Sequence, residues 1–286
     1  MNADSVHGQT LSLLVVKVGG SLFSDKRKSR TVDACALREY AAAIAELWDL
    51  APGQVAFVSG GGAFGHDAVR SLDPADPDAT LPLTEATFAL KWLWTEALRS
   101  FGCRAVPLQI AALAYQEDGQ VHFQDQVIRH LLDSGVLPVL SGDVTVTADG
   151  SLKVLGSDRV PELLLGPQPG LVRVAMLTDV PGILLDGPGG SETLCTVDPA
   201  EPQAAARAVW GTPEWDTSDS MAGKLDAALA IAQRGAECFI LKGEPRADFM
   251  RYLLEPRDSW PPEMRYTRVG PTRPRAVNRG DRAVVR

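Results

Sequence analysis

Four polar stretches hold the residues best suited to chemistry: KVGGSLFSDK (17–26), SGGGAFGH (59–66), GSDRVPELL (156–164) and WDTSDSMAGKLDAAL (215–229). Lys17 ends an apolar run, where an uncompensated ammonium is costly. Gly19, Gly20 and Ser21 follow it and offer backbone N–H donors, so the segment reads as a phosphate cradle. The competing reading is a lysine whose stem lies along apolar surface with its head in water. In SGGGAFGH the glycines let backbone amides approach a bulky anion, and the helix that follows adds its positive end. His66, in the first helical turn, can donate to a phosphate oxygen, and a dianion would favour its protonated form. A sharp strand-to-helix turn with a structural histidine explains the same letters. Asp158 either caps the apolar helix that follows or holds lysine side chains in place. Lys224 opens a late helix and is either an ordinary exposed lysine or a second cation facing Lys17, the pairing that phosphoryl transfer requires.

Two nucleotide motifs fail on inspection. Gly60 and Gly65 have P-loop spacing, but His66 and Asp67 stand where lysine and serine or threonine are needed. A GxGxxG across Gly60, Gly62 and Gly65 follows the second strand and lacks an acidic residue placed for a ribose.

The 286-residue chain has 45% hydrophobic and 22% charged residues, ordinary for a globular protein. A net charge of −8 argues against nucleic acid as a partner. The last sixteen residues, PTRPRAVNRGDRAVVR, hold five arginines and read as a disordered tail. Cys35, Cys103, Cys195 and Cys238 show no metal or redox spacing and read as small buried apolar residues in a reducing compartment. The four histidines form no ligand pair, no apolar run spans a membrane, and the N-terminus does not read as a signal peptide. A cytoplasmic location is the expectation.

The elements that must position these groups alternate. Strands are predicted at 11–19, 54–60, 104–110, 136–143, 173–184 and 237–243, and helices at 34–50, 84–102, 127–135 and 224–235. VTVTADGSLKVLG (144–156) carries an Asp-Gly hairpin signal. Such alternation predicts an α/β fold, a three-layer αβα sandwich around a mostly parallel sheet. The polar exits KVGGS, SGGGAFGH, SGD and LTDVPG all leave strand ends, so they should converge on one side of that sheet. The segments 71–82 and 178–199 read as loops, the first long enough to serve as a lid.

In this order the pieces resemble the amino-acid kinase superfamily, over roughly residues 11–270. GGGAFGH resembles the branch that phosphorylates an existing phosphate or phosphonate, shared by isopentenyl phosphate kinases and fosfomycin kinase. LTEATF (83–88), the spacing of Lys91 and Trp94, PLQ (107–109), SDRVPE (157–162), LTDVPGI (177–183), EWD (214–216) and RGAECFI (234–240) are similar to fosfomycin kinase. The resemblance implies one domain over 1–270, with an acceptor half at about 11–145, an ATP half at about 146–270, and the tail 271–286 outside it. It implies that Lys17 meets the γ-phosphoryl group with Gly19, Gly20 and Ser21, that Lys224 lies between the β- and γ-phosphates, and that Asp158 orients both lysines. His66, Gly61, Gly62, Lys26, Gly156 and Ser157 would hold the acceptor. Thr178, Asp179, Trp215, Asp216 and Ser218 would lie along ATP, with Mg2+ bridging its phosphates, and the family suggests a homodimer.

The implied activity is ATP-dependent phosphorylation of a small phosphonate, fosfomycin or a relative, in antibiotic self-resistance or biosynthesis. The alternatives are an isopentenyl-phosphate-type kinase, with an apolar tunnel built from TFALKWLW (87–94), and a nucleotide-binding protein of the same fold without turnover. A phosphate-like acceptor is already ionised, so the site needs donors rather than a general base. Two departures from the family pattern stand out. Ser218-Asp219-Ser220-Met221 replaces a glycine pair before the late lysine, and Gly156 replaces a second serine of fosfomycin kinase.

Overall fold

The computed structural model describes residues 10–25, 27–70, 72, 79–166, 170–185, 190–202 and 221–270. The strands are β1 (Leu11–Val18), β2 (Val55–Ser59), β3 (Ala105–Pro107), β4 (Ala114–Glu117), β5 (Gln120–Phe123), β6 (Leu137–Ser141), β7 (Asp143–Thr147), β8 (Leu152–Leu155), β9 (Leu171–Thr178), β10 (Thr196–Val197), β11 (Glu237–Lys242) and β12 (Tyr266–Val269). The described helices are α1 (Ala34–Leu50), α2 (Gly62–Arg70), α3 (Leu81–Ser100), α4 (Asp125–Asp133), α5 (Val160–Leu163), α6 (Met221–Gln233) and α7 (Ala247–Tyr252).

Eight strands form the main sheet in the order β10-β12-β11-β9-β1-β2-β6-β3. Every neighbouring pair is parallel except β11 with β12. The unbroken apolar run of β1 is what a strand covered on both faces needs, and Leu13–Val18 are all buried. α1 presents Leu37, Tyr40, Ala41, Ile44, Leu47 and Trp48 to the core at helical spacing. Its first turn is capped by Asp33, which accepts from the amides of Cys35 and Ala36 at 2.9 and 3.0 Å. Losing such a cap costs about 1 kcal/mol. α1, α2, α3 and α7 pack on one another, while α5 and α6 form a second group against the β11–β12 side.

A second, four-stranded sheet, β5-β4-β7-β8, stands beside the first. Its β7–β8 hairpin is the one predicted at 144–156. The β4–β5 hairpin was not predicted, although it carries the same dipeptide: Asp118 and Gly119 sit at φ 49° and 75°, as a tight Asp-Gly turn requires. α3 closes as predicted, with Gly102 at φ 83° past its last turn. It begins earlier than predicted, because Pro82 fits a first helical turn. The end of the proposed 71–82 loop is therefore helix; residues 71 and 73–78, like the tail 271–286, lie outside the described residues.

The cysteines divide. All four are free, but only Cys103 and Cys238 are buried, whereas Cys35 and Cys195 are exposed, against the expectation of uniform burial. Among the described residues no helix is long and apolar enough to cross a membrane.

Candidate active site

Parallel strands deliver their C-terminal ends to one edge, and the predicted exits meet there. β1 pairs Lys17 with Val58 of β2 on one side and with Met176 of β9 on the other. Lys17 is fully buried, and its Nζ lies 2.6 Å from Asp158 Oδ1. Lys224, buried on α6, reaches Asp158 Oδ2 at 3.4 Å. One carboxylate thus stands between two ammonium groups drawn from segments 141 and 66 residues away from it in sequence. Asp158 is not the helix cap that the sequence also allowed, since α5 has Arg159 at its capping position and no side-chain cap. A pair of positive charges fixed by one buried carboxylate is suited to a highly charged anion, because the donors are in place before the anion arrives.

The glycines next to Lys17 serve close backbone approach. Gly19 donates its amide to the Leu177 carbonyl at 2.8 Å, and Gly60 donates to the Val18 carbonyl at 2.7 Å. The expectation that the Gly19 amide faces a phosphate is therefore corrected: it joins β1 to β9. A Cβ on Gly60 would come within 2.5 Å of the Gly20 nitrogen. Gly20 and Ser21 form a 3-10 turn directly after β1. Gly62 begins α2 at φ 51°, and a Cβ there would meet Ser24 Oγ at 2.5 Å, so both conformation and space require glycine. The Ser24 hydroxyl, in turn, accepts from the Ala63 amide at 2.9 Å and ties the two exits together.

His66 is buried at 2% exposure in α2. Together with Gly61, Gly65, Gly156 and Ser157 it lines a small cavity of about 40 Å³. Ligand pockets commonly start near ~300 Å³, so the cavity is smaller than a ligand site, and Val69, Leu83, Val154 and Leu155 complete its walls. In place of the enclosed tunnel expected from TFALKWLW there is an open apolar pocket of about 550 Å³, lined by Phe64, Phe88, Ala89, Trp92 and Leu93. Trp94 packs edge-on against Phe23 and Phe57 in the core, at 5.1 and 4.9 Å between ring centroids. Trp92 is instead 43% exposed.

Among the cavity residues that sequence reasoning missed, two carry polar side chains, Thr87 and Asp143. Asp143 is fully buried; Oδ1 accepts from Thr84 Oγ1 at 2.9 Å and Oδ2 from the Ala111 amide at 3.0 Å. The polar SGD exit after β6 was its signal, since an acid directly behind a buried strand needs partners.

At the end of β9, Thr178 is buried and donates to Asp179 at 3.0 Å, while Asp179 itself is exposed. Lys26, Trp215, Asp216, Ser218 and the departure Ser218-Asp219-Ser220 lie outside the described residues. Among the described residues no three histidines, cysteines or carboxylates converge as a metal cage.

The sequence matches the Amino acid kinase family over residues 12–242. It is 27% identical over 260 residues to the isopentenyl phosphate kinase of Methanothermobacter thermautotrophicus, covering 85% of this chain and 95% of that protein. It is 34% identical over 228 residues to the isopentenyl phosphate kinase of Haloferax volcanii, covering 77% and 89%. Its fold is similar to that in X-ray structures of isopentenyl phosphate kinase, with a TM-score of 0.68 at 23% identity, covering 90% of this chain and 99% of the other. These relatives lie on the prenyl-phosphate side of the resemblance rather than the fosfomycin side.

Proposed function

The chain belongs to the amino acid kinase family, and on that premise we propose that it transfers the γ-phosphoryl group of ATP to a phosphate or phosphonate oxygen of a small acceptor. The observation that carries this is the Lys17–Asp158–Lys224 centre, joined at one sheet edge by buried His66 and its glycine turn. Two anions must be brought together, and cations fixed in place lower that barrier.

On this reading Lys17 meets the transferred group, Lys224 neutralises charge between the β- and γ-phosphates, and Asp158 orients both. Gly20 and Ser21 line the phosphate side. Thr178 and Asp179, with Trp215, Asp216 and Ser218, lie along the nucleotide in the half after about residue 146. His66, Gly61, Gly62, Gly156 and Ser157, with Lys26, hold the acceptor in the half before it, completed by the 156–157 turn. Mg2+ fits this donor set as an ion carried by ATP phosphates and water. Asp158 is occupied by the two lysines, so the ion would be held chiefly by the phosphates and water. The ion would supply charge neutralisation on the phosphates.

Isopentenyl phosphate is the acceptor of the named relatives, and so the first candidate here. A phosphonate is the second reading, favoured by the small, partly polar cavity. A cytoplasmic homodimer belongs to the same reading, and exposed Phe88 and Trp92 on α3 support a partner surface.

The test is ADP release from ATP across isopentenyl phosphate, fosfomycin and acetylglutamate. Turnover confined to the first two is expected. Tight ATP binding with no turnover of any acceptor would support the non-catalytic alternative. His66→Ala should raise the acceptor KM about tenfold to a hundredfold, the loss of a charge-assisted hydrogen bond, with the KM for ATP unchanged.

A further inference from the structure

Lys91 is a fully buried lysine on α3, one turn beyond Thr87, and its Nζ has no hydrogen-bond partner among the described residues. Three further side-chain atoms repeat this condition. Gln109 Oε1, Ser141 Oγ at the end of β6, and Trp94 Nε1 on α3 itself are also buried without partners. Gln109 is tied to α3, since its Nε2 donates to the Thr84 carbonyl at 2.9 Å. α3, which carries Lys91 and Trp94, packs on β6, which ends in Ser141, and on β3 just before Gln109, so all four residues belong to elements in direct contact.

A native interior rarely leaves such groups dry, because each unsatisfied donor or acceptor costs on the order of 1–3 kcal/mol. The region therefore accommodates polar matter, either water or part of a ligand. Its location favours the ligand. Leu83 and Thr87 line the acceptor cavity, and residues four apart share a helix face, so Lys91 continues that face inward. Asp143 lines the cavity and is also the carboxylate whose charge Lys91 feels. Both Asp143 oxygens already have partners in Thr84 and Ala111, and no ion pair joins the carboxylate to Lys91 among the described residues. The cation is compensated at a distance, with three N–H donors unused.

We infer that Lys91 is a specificity-determining residue for the acceptor: with Asp143 it gives the cavity a polar inner end, which selects a phosphate or phosphonate whose far end carries oxygen over one ending in hydrocarbon. The inference rests on the kinase reading above and, because of Lys91, ranks an acceptor with an oxygen-bearing far end ahead of isopentenyl phosphate. A hydrocarbon tail pushed toward Lys91 would leave the ammonium buried and uncompensated. An oxygen there accepts a hydrogen bond from it, and sites built to bond a polar group reject analogues that lack it.

The test compares isopentenyl phosphate with 3-hydroxybutyl phosphate, acceptors of similar length, by kcat/KM in wild type and in Lys91→Met. Wild type is expected to prefer the hydroxylated acceptor at least tenfold, and Lys91→Met to reduce or reverse that preference at least tenfold, chiefly through KM. A wild-type preference for isopentenyl phosphate, or an unchanged ratio in folded Lys91→Met, overturns the assignment. If Lys91→Met does not fold, Lys91→Gln takes its place, and the wild-type ratio alone still decides. Wild type that turns over neither acceptor, nor fosfomycin, overturns the kinase reading instead, a distinguishable failure.

Discussion

The Lys17–Asp158–Lys224 centre and the cavity at His66 bury similar chemistry and resolve it in opposite ways. In the centre, two cations share one carboxylate at 2.6 and 3.4 Å, so each charge has a partner within the fold. Beyond the cavity, on α3 and the segments it packs against, Lys91, Gln109, Ser141 and Trp94 keep polar atoms without partners among the described residues. The first arrangement has its charges paired before any ligand arrives, as befits groups that must not reorganise during transfer. The second leaves donors and acceptors open within the interior. On the proposed reading, the paired groups serve the transfer and the open ones the choice of acceptor.

The largest effect should come from breaking the paired centre. Asp158→Ala leaves two buried ammonium groups facing each other. We expect a loss of roughly 3–5 kcal/mol in chemical denaturation, and a fall of kcat by about 10² to 10³, as for loss of one preorganised charge contact. A variant with full stability and activity would mean that the two regions do not differ in the way described.

The next effect concerns the open region and pH. Burial pushes the Lys91 ammonium down to about 8 from 10.5, and the charge of Asp143 only partly opposes it. Between those two values the unfolded chain binds the proton and the folded chain does not, so stability rises with pH across that window. Below about 8 both states are protonated and the penalty is fully present. Relative to Lys91→Met, wild type should gain up to about 3 kcal/mol between pH 8 and 10.5. Parallel denaturation curves across pH check this, and identical pH profiles for the two proteins would show that Lys91 is solvated.

The smallest effect tests the wall between the regions. A Cβ on Gly156 meets nothing within 4 Å, although Gly156 lines the cavity. Gly156→Ser should therefore change stability by less than about 0.5 kcal/mol and alter the acceptor KM a few-fold while the KM for ATP holds. A large loss of stability would show that the turn at 156–158 is tighter than its geometry indicates.

Much of this was legible from residue order. The apolar run of β1, the capped helix α1 and the Asp-Gly turn of β7–β8 act over a few residues, where local sterics and hydrophobic period decide. Lys17, His66, Asp158 and Lys224 were legible because a charged or titratable residue beside glycine at a strand exit is costly without a purpose. Lys91 was visible only as a spacing to Trp94, and Asp143 only as part of a polar exit. Their environments are made by α3 crossing β3, β6 and β7, and no local pattern records that crossing.

The sequence by itself determined the parallel α/β order and the identity of the charged residues at the strand ends, because periodicity and the cost of burying charge act along the chain. Only the tertiary structure decided which carboxylate pairs which lysine, that the Gly19 amide joins two strands, and that Lys91 lies unpartnered in the interior. Those outcomes depend on distances of a few ångströms between segments far apart in sequence, and packing alone sets such distances.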